Sequence, residues 1–315
     1  MAKTNEEKLF DQASLASQAL FQKFGEQIPD YFIQAGTGLQ GILDPREGYK
    51  IEVIDTIPFS KIDGFPEIKA RDHGTDLVLA RLSRDDGSLD SKLIAVAKGR
   101  KHVYEYDGID QQGQGIIDVC TVAVSMALLG VDKYIITNAA GGLQHFDEEV
   151  PYLMGITDHK NDTDVSILKG PVDGPLFPFY TGFSGKDKDM PYQSNLLNTA
   201  RVVAEENKIP FKEGRYVVQH SSRRYETPAE TNDLMAAGYG AVGASTVFSV
   251  EALTGMMQHK DREERDLQIL GVSAITNHCA TEENPVRSNH VANAGEILNE
   301  KGYLTNLIFE TMLRN

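Results

Sequence analysis

The chain has 315 residues, and its formal net charge is −15 because 46 acidic side chains outnumber 31 lysines and arginines. The hydrophobic fraction of 41% is ordinary for a globular protein, which excludes a disordered, collagen-like or disulfide-scaffold chain. The acidic balance argues against binding of nucleic-acid polymers, because proteins of that class usually present a basic face.

Helical and strand-like patterns alternate along the chain, beginning with helical spacing over 6–26 in an N-terminal helical segment, 1–29. A short apolar segment, 31–35, follows this helix. The predicted strands are 51–55, 77–82, 93–97, 134–137, 215–219, 241–243 and 267–276. The predicted helices are 115–129, 194–206, 228–237, 246–258 and 294–313. This alternation is typical of an α/β fold around one sheet, and without a convincing linker we expect a single domain over 1–315.

Two stretches depart from the alternation. The run 138–142, Asn-Ala-Ala-Gly-Gly, is expected to end the strand before it. The stretch 159–190 is rich in Pro, Gly and Lys-Asp pairs and also carries aromatic residues. We interpret it as a long surface excursion, because loops of this length are uncommon and are usually functional or disordered.

The compartment is predicted from three features. The two cysteines, Cys120 and Cys279, are too few for a disulfide framework and indicate a reducing compartment. The polar stretch 1–11 lacks the apolar core of a signal peptide. The longest apolar run, about 119–131, is shorter than the roughly 20 residues that span a bilayer. We therefore expect a cytoplasmic protein that does not enter a membrane.

The run 36–41, Gly-Thr-Gly-Leu-Gln-Gly, fits G-x-G-x-x-G, and Asp55 ends a later strand-like segment. That pattern is typical of dinucleotide binding, in which a long helix opens at the glycines and faces the pyrophosphate. Pro45 and Gly48 follow closely, and a proline inside a helix costs about 3 kcal/mol, which disfavours that helix. A dinucleotide-dependent oxidoreductase is therefore a lesser alternative, beside a simple tight turn and a nest of N–H groups around one phosphate.

Arg100 and His102 follow the predicted strand 93–97, and strand alternation puts both on one face. A guanidinium fork suits phosphate, and histidine adds a donor. The plainer alternative is a solvated charge pair at a strand end. His73 carries no signal alone, and no histidine pairs with a Cys or a second His at zinc-ligand spacing, so no metal is expected.

Eight segments in order carry a resemblance to a known family. They are Gly36-Thr37-Gly38-Leu39, His73-Gly74, the run 99–105 (Gly-Arg-Lys-His-Val-Tyr-Glu), the run 137–142 (Thr-Asn-Ala-Ala-Gly-Gly), Asp158-His159, the run 225–230 (Tyr-Glu-Thr-Pro-Ala-Glu), the run 242–247 (Val-Gly-Ala-Ser-Thr-Val) and Ile275-Thr276-Asn277. The set resembles the trimeric purine nucleoside phosphorylases, from about residue 30 to the C-terminus. The resemblance implies a single domain with a mixed twisted central sheet flanked by helices. It also implies a homotrimer and phosphorolysis of purine nucleosides to free base and ribose 1-phosphate in purine salvage. Inorganic phosphate is then a co-substrate, and no cofactor or metal is expected.

The resemblance also implies roles for individual residues. Those expected to bind phosphate are Thr37, His73, Arg100, His102, Ala139 through its backbone N–H, and Ser245. Those expected to contact the nucleoside are Tyr104 and His290 at the ribose, Tyr225 over the base, Ala244 against ribose and base, and Glu226 and Asn277 at the purine edge. Of all these, Asn277, Glu226 and His102 are expected to be catalytic.

These roles fit the chemistry, because the ribose turns oxocarbenium-like while the purine leaves with negative charge. Asn277 as a donor near N7 and O6 stabilises the leaving base, and Glu226 accepts from N1–H, which only a 6-oxopurine carries. The related methylthioadenosine phosphorylases have Asp where this chain has Asn277 and lack the glutamate. Inosine and guanosine are therefore expected to be favoured over adenosine.

Four departures from the family pattern leave alternatives open. The segment 221–227 has an apparent extra residue and two arginines, Arg223 and Arg224, and Ala244 stands where Met is usual. The residues after His290 differ from the expected acidic pair, and 159–190 matches only loosely. These differences are either sequence drift or signs of a changed nucleoside preference. The preferred nucleoside could be of the xanthosine type, with an arginine contacting the extra carbonyl of the base, or of the methylthioadenosine type. A third hypothesis is a nucleoside-binding protein that has lost turnover.

Overall fold

The computed structural model describes residues 3–36, 41–68, 74–106, 112–144, 149–169, 191–192, 194–220, 224–257, 267–283, 298 and 300–315. Its helices are α1 (Asn5–Phe24), α2 (Gln112–Leu129), α3 (Ser194–Glu206), α4 (Pro228–Ala236), α5 (Val247–Met257) and α6 (Tyr303–Leu313). Its strands are β1 (Tyr31–Gln34), β2 (Tyr49–Pro58), β3 (Asp76–Arg84), β4 (Lys92–Ala97), β5 (Lys133–Gly142), β6 (Tyr152–Asn161), β7 (Phe211–Val218), β8 (Ala241–Gly243) and β9 (Gln268–His278).

The strands form one mixed sheet in the order β2-β3-β4-β1-β5-β8-β7-β6-β9. Strand β9 also pairs in parallel with β5, so β5, β8, β7, β6 and β9 close into a ring. Strand β1 runs parallel to both β4 and β5, and β2–β3 and β3–β4 are antiparallel. Strand β5 therefore belongs both to the ring and to the open part of the sheet.

Helices cover the sheet on two sides, and the side chains of β1 and β5 alternate between them. Phe32 and Tyr134 pack in a cluster with residues of α1, α2 and α5, and their rings meet edge-on at 5.9 Å. Ile33 and Ile135 pack in a second cluster with residues of α3 and α6. Strands buried on both faces have continuous apolar sequences. This arrangement confirms the predicted α/β fold with a mixed central sheet in a single domain.

Helix α1 follows from its sequence. Thr4 and Glu7 form a capping box, in which each side chain accepts from the other residue's backbone N–H. Its buried stripe repeats at helical spacing and consists of Leu9, Ala13, Ala16, Leu20 and Phe24. This stripe contributes to the same cluster as α2, so the predicted N-terminal helix is part of the core.

Two predicted boundaries around β5 and β6 are wrong. The residues 138–142 do not end β5, because they continue to pair with β9 as far as Gly142, with a shift in register between Ala140 and Gly141. Strand β6 was not predicted, and it includes 159–161, which were assigned to the surface excursion. Its central Gly155 hides the strand pattern, yet a Cβ there would lie 2.5 Å from Leu197 Cδ1 of α3. Val165 and Ile167 are also buried, and 170–190 lie outside the described residues.

The predicted C-terminal helix over 294–313 is interrupted, because residues 298 and 300 are helical but 301–302 form a turn. Gly302 adopts φ +70°, a left-handed conformation that suits glycine, and α6 begins directly after it. The residues 294–297 lie outside the described residues. Within the described part of the chain, no helix is both long and apolar enough to cross a membrane.

The dinucleotide alternative lacks its helix in the described residues. Residues 41–48 form turns and an isolated bridge and lead into β2, while 37–40 lie outside the described residues. Asp55 lies on β2, which pairs antiparallel with β3 at the edge of the sheet. A dinucleotide fold instead places its ribose-binding acid at the end of a strand parallel to the first.

Candidate functional site

Strands β1 and β4 end side by side next to the middle of β5, where Gln34 stands opposite Ala97 and Ile136, and Arg100 lies just beyond these ends. Its guanidinium donates to the carbonyl oxygen of Thr137, and its Nη1 lies 3.5 Å from Ser245 Oγ. Gly36, just beyond β1, donates its N–H to Thr137 Oγ1 at 2.9 Å. Arg100 is 3% exposed, so a buried cation lies at the ends of β1 and β4.

Gly36 is required by this close packing. A Cβ at Gly36 would lie 2.8 Å from Arg100 Nη2 and 2.8 Å from the carbonyl oxygen of Thr137. Contacts that short do not occur for real Cβ atoms, so any other side chain would displace the guanidinium or the strand. The first glycine of the run 36–41 therefore admits the Arg100 side chain.

The N-terminus of α5 completes this part of the site. Strand β8 runs antiparallel to β5, so the chain after it passes beside the middle of β5. Asn138 Nδ2 donates to Thr246 Oγ1 at 2.9 Å, which fixes that approach. Thr246 has φ +77°, a strained value for a β-branched residue, and α5 starts at Val247. A helix N-terminus beside a buried guanidinium favours an anion.

The electrostatics of Arg100 point the same way. Burial lowers the pKa of Arg100 to about 10, and the nearby Tyr216 and Tyr104 oppose that shift. The guanidinium therefore stays charged at neutral pH. No ion pair joins Arg100 to a carboxylate in the described part of the chain, and its Nε has no hydrogen-bond partner there. A buried cation without a counter-charge is costly, and an anionic ligand relieves that cost.

The turn after Arg100 is held by a buried ion pair rather than by strand pairing. Lys101 Nζ lies 3.0 Å from Glu105 Oε2 and 2.6 Å from the carbonyl oxygen of Glu67. Glu105 Oε1 accepts from the backbone N–H of His102 at 2.7 Å. The His102 ring is buried and stacks on Tyr104 with ring centroids 4.7 Å apart. The expectation that alternation in a continuing strand orients Arg100 and His102 is wrong, because β4 ends before them.

Tyr216, which sequence reasoning missed, lies in the same site. It is completely buried on β7, and its hydroxyl contacts the position that a Cβ at Gly243 would occupy. Burial raises its pKa, while the nearby Ser245 and the charge of Arg100 lower it and the charge of Glu226 raises it. Its alternating position in the predicted strand 215–219 is the signal that would have found it.

Asn277 lies on β9 and Ala139 on β5, two strands that pair in parallel. Asn277 is 1% exposed, stands opposite Gly141 across the β5–β9 pairing, and donates to the carbonyl oxygen of His278 at 3.1 Å. Ala139 is half-buried and stands opposite Ala274. Arg100 and Asn277 thus both lie against β5, at Thr137 and at Gly141.

Tyr225 and Glu226 precede α4. Tyr225 is 62% exposed, and Glu226 is half-buried. Ala244 is half-buried, directly before Ser245. The structure thus brings Arg100 and Ser245 into contact, and the charges of Arg100 and Glu226 both act on Tyr216.

Four sequence-selected residues, Thr37, His73, His290 and Arg223, lie outside the described residues. Within the described residues, no group of three or more His, Cys, Asp or Glu side chains is arranged to hold a metal ion. Both cysteines are buried, and neither forms a disulfide bond.

Comparison with known proteins gives consistent matches. The Phosphorylase superfamily model matches residues 92–302, more than half of the chain. The chain is 32% identical over 265 residues to purine nucleoside phosphorylase 1 of Geobacillus stearothermophilus, covering 84% of each. It is 30% identical over 272 residues to the purine nucleoside phosphorylase of Bos taurus, covering 84% of this chain and 82% of that one.

Solved structures agree with these relatives. The Schistosoma mansoni purine nucleoside phosphorylase in complex with adenosine aligns with a TM-score of 0.69 and 26% identity over 98% of both chains. The same protein in complex with hypoxanthine aligns with a TM-score of 0.68 and 25% identity, over 98% of this chain and 99% of that one. The chain therefore belongs to the phosphorylase superfamily and, within it, to the purine nucleoside phosphorylases.

Proposed function

We propose that this enzyme prefers 6-oxopurine nucleosides, inosine and guanosine, and serves purine salvage. The observation that carries the proposal is that two buried groups lie against the same strand: Arg100, which has no ion-pair partner among the described residues, at Thr137 of β5, and the amide-bearing Asn277 opposite Gly141 of β5. An anion site and a purine-edge donor along one strand suit a reaction in which phosphate and base act on opposite sides of a sugar.

On the phosphate side, Arg100 supplies charge and Ser245 a hydroxyl next to the N-terminus of α5. His102 and the N–H of Ala139 add donors, together with Thr37 and His73. A phosphate oxygen attacks C1′ of the ribose while the C1′–N9 bond breaks, and the electron pair of that bond moves into the purine. Fixed donors that hold the dianion in line contribute through positioning and preorganised electrostatics.

On the nucleoside side, Tyr104 and His290 contact the ribose, and Tyr225 covers the base. Ala244 packs where ribose and base meet. Asn277 donates to the purine at N7 and O6 as negative charge grows there, and Glu226 accepts from N1–H. Adenine has no N1–H, so its binding would leave the Glu226 carboxylate unpaired, which is a strong basis for rejection.

The second candidate function is a phosphorylase with a changed nucleoside preference, of the xanthosine or methylthioadenosine type. The Schistosoma mansoni neighbours, described as complexes with adenosine and with hypoxanthine, support a purine in the site. Arg224 is engaged with Glu230 at 2.7 and 2.8 Å, which speaks against its meeting an extra carbonyl of the base.

We further propose a cytoplasmic homotrimer that needs only phosphate as co-substrate and no metal or organic cofactor. Family membership supports the trimer, and the 62% exposed Tyr225 supports a site that substrate or a second subunit completes. Sedimentation velocity tests the assembly. Activity that a chelator leaves unchanged tests the absence of a metal requirement.

The direct experiment follows the ultraviolet absorbance of inosine with and without phosphate, and repeats it with guanosine, adenosine and xanthosine. We expect hypoxanthine release only with phosphate, and kcat/KM for inosine and guanosine well above that for adenosine. A folded preparation that prefers adenosine or xanthosine contradicts the 6-oxopurine preference argued from Asn277 and Glu226. Nucleoside binding without turnover would establish the non-catalytic alternative.

A further inference from the structure

The two arginines in the segment before α4 are a departure from the family pattern, and Arg224 has a defined environment. We propose that Arg224 is a positioning residue, whose two-point pairing with Glu230 holds Tyr225 and Glu226 in the orientation that receives the purine. This inference rests on the proposed function, because it takes Tyr225 and Glu226 as the base-contacting residues.

The pairing encloses the two residues it positions. Arg224 Nη1 and Nη2 donate to the two carboxylate oxygens of Glu230 at 2.8 and 2.7 Å, and Nη1 also reaches the carbonyl oxygen of Tyr225 at 3.3 Å. Glu230 is fixed in turn, because its Oε2 accepts from the N–H of Thr227 at 2.8 Å in the capping box of α4. Tyr225 and Glu226 therefore lie in a short loop closed at both ends by one carboxylate.

A third group lies near the same carboxylate. His220 Nε2 is 3.6 Å from Glu230 Oε2, beyond hydrogen-bond distance, and His220 follows β7, the strand that carries Tyr216. The hydrogen bonds therefore tie the loop to the start of α4, and Glu230 also lies near the end of β7.

The charges keep this pairing intact over the working pH range. The Arg224 hydrogen bonds, followed by the Thr227 N–H, lower the pKa of Glu230 to about 2. The pKa of Arg224 is raised, chiefly by the Glu230 hydrogen bond and in part by the Glu226 charge. Arg224 thus also balances the charge of the base-reading Glu226.

The pair is partly exposed, with side-chain exposures of 50% and 28%, so its contribution to global stability is small. Its effect is therefore expected in substrate binding, since a bidentate arginine restricts geometry as well as adding attraction. Both terminal nitrogens of Arg224 donate within the loop, which favours this role over direct contact with the substrate.

Elsewhere the chain offers a matched control. Arg201 pairs with Glu213 through two nitrogens at 2.6 and 3.1 Å. That pair has exposures of 45% and 27%, and it joins α3 to β7. Arg201→Ala therefore removes an ion pair of the same kind away from the base loop.

The first test compares KM for inosine and for phosphate in both variants. We expect Arg224→Ala to raise KM for inosine about threefold to tenfold, with KM for phosphate within about twofold of the parent. Arg224→Lys keeps the charge without the fork and should recover only part of the loss. Arg201→Ala should change neither constant. Equal effects of Arg224→Ala and Arg201→Ala on these KM values overturn the proposal. An increase in KM confined to xanthosine also overturns it, because it shows that Arg224 contacts the base directly.

The second test needs no activity and separates the two proposals. The chain has no tryptophan, so Tyr225→Trp gives a single reporter in the loop. In that background, Arg224→Ala and Glu230→Gln should each lower the fluorescence anisotropy of Trp at 225, and the double variant should lower it no further. Arg201→Ala should leave it unchanged. Unchanged anisotropy in all variants overturns the positioning role of Arg224, even if the enzyme cleaves inosine. Lowered anisotropy in the Arg224 and Glu230 variants supports that role, even if the enzyme does not cleave inosine.

Discussion

The Nζ of Lys101 lies 3.0 Å from a carboxylate oxygen of Glu105, and the two side chains are only 3% and 4% exposed. The pair bridges the turn that presents Arg100 and His102. The same carboxylate accepts from the His102 N–H. A buried ion pair thus sets the backbone from which two predicted phosphate ligands extend.

Lys101→Met should destabilise the fold by about 3 kcal/mol, because it leaves the Glu105 carboxylate buried without its partner. Urea denaturation followed by circular dichroism measures this loss. Lys160→Met is the control, since its pair with Asp162 at 2.8 Å is largely exposed and should change stability by less than about 1 kcal/mol. Equal losses in the two variants would contradict a structural role for the Lys101 pair.

Arg100→Ala should raise KM for phosphate at least about tenfold, and more than KM for inosine, because hydrogen bonds from a buried charge are lost. Arg81→Ala, on the exposed side of β3, is the control. The parent enzyme should hold phosphate through neutral pH and lose affinity only in the alkaline range, because burial lowers the pKa of Arg100 to about 10 and a bound anion opposes that shift. Equal changes in both KM values would place Arg100 outside the phosphate site.

Tyr216→Phe should raise KM for phosphate about fivefold with little change in stability, since it removes a hydroxyl beside Ser245 and Arg100. Tyr31→Phe is a matched control. That tyrosine is also fully buried, and its hydroxyl, like that of Tyr216, has no hydrogen-bond partner among the described residues, so the two variants differ in whether the lost hydroxyl lies beside Ser245 and Arg100. Steady-state kinetics with varied phosphate measure this KM in both variants. Equal KM values for the two variants rule out a specific role for Tyr216 in phosphate binding.

Asn277→Asp should lower the ratio of kcat/KM for inosine to that for adenosine by about tenfold or more, because a carboxylate accepts from the 6-amino group and repels O6. Asn207→Asp, at the end of α3, controls for the added charge. Competition between the two nucleosides in one reaction measures the ratio directly. A ratio that does not fall shows that Asn277 does not contact the base.

His159 gives a prediction about stability and pH. Burial lowers its pKa from 6.5 to about 4, and the ring lies against Tyr192 with Nδ1 3.1 Å from the hydroxyl. Between those two pKa values the unfolded chain binds the proton and the folded chain does not. Stability is therefore full above the unfolded pKa and falls by about 3 kcal/mol as the pH drops from about 6.5 to 4. His159→Phe should remove that part of the loss in urea titrations at pH 7 and pH 4.5, and an unchanged pH dependence would contradict it.

Local patterns in the sequence predicted most of the elements, because burial on two faces gives β1, β4 and β9 continuous apolar runs. Strand β6 was missed because Gly155 and the polar residues 158–161 interrupt its pattern. The glycine is explained by the close approach of Leu197 from α3 and of Phe211 from β7. Tertiary contacts between distant segments of this kind leave no local signal.

The candidate site, like the fold, was only partly predictable from the sequence. The Arg100 contacts with Thr137 and Ser245 join segments far apart in sequence, and residue types alone indicated the phosphate side without showing these partners. Arg224 was considered as a substrate contact, yet its partner is Glu230, six residues later. The sequence shows that a charged residue can form an ion pair or a hydrogen bond, but its partner is known only from the fold.

The closure of β5, β8, β7, β6 and β9 into a ring has a consequence for local unfolding. Each ring strand is hydrogen-bonded on both sides, whereas β2 is bonded only to β3 among the described strands. Opening the ring at any one strand therefore disturbs its two neighbours, while β2 can separate alone. Amide hydrogen exchange should be slowest in the middle of β5 and β9 and fastest in β2, so that the strands holding Asn277 and Ala139 are the last to open.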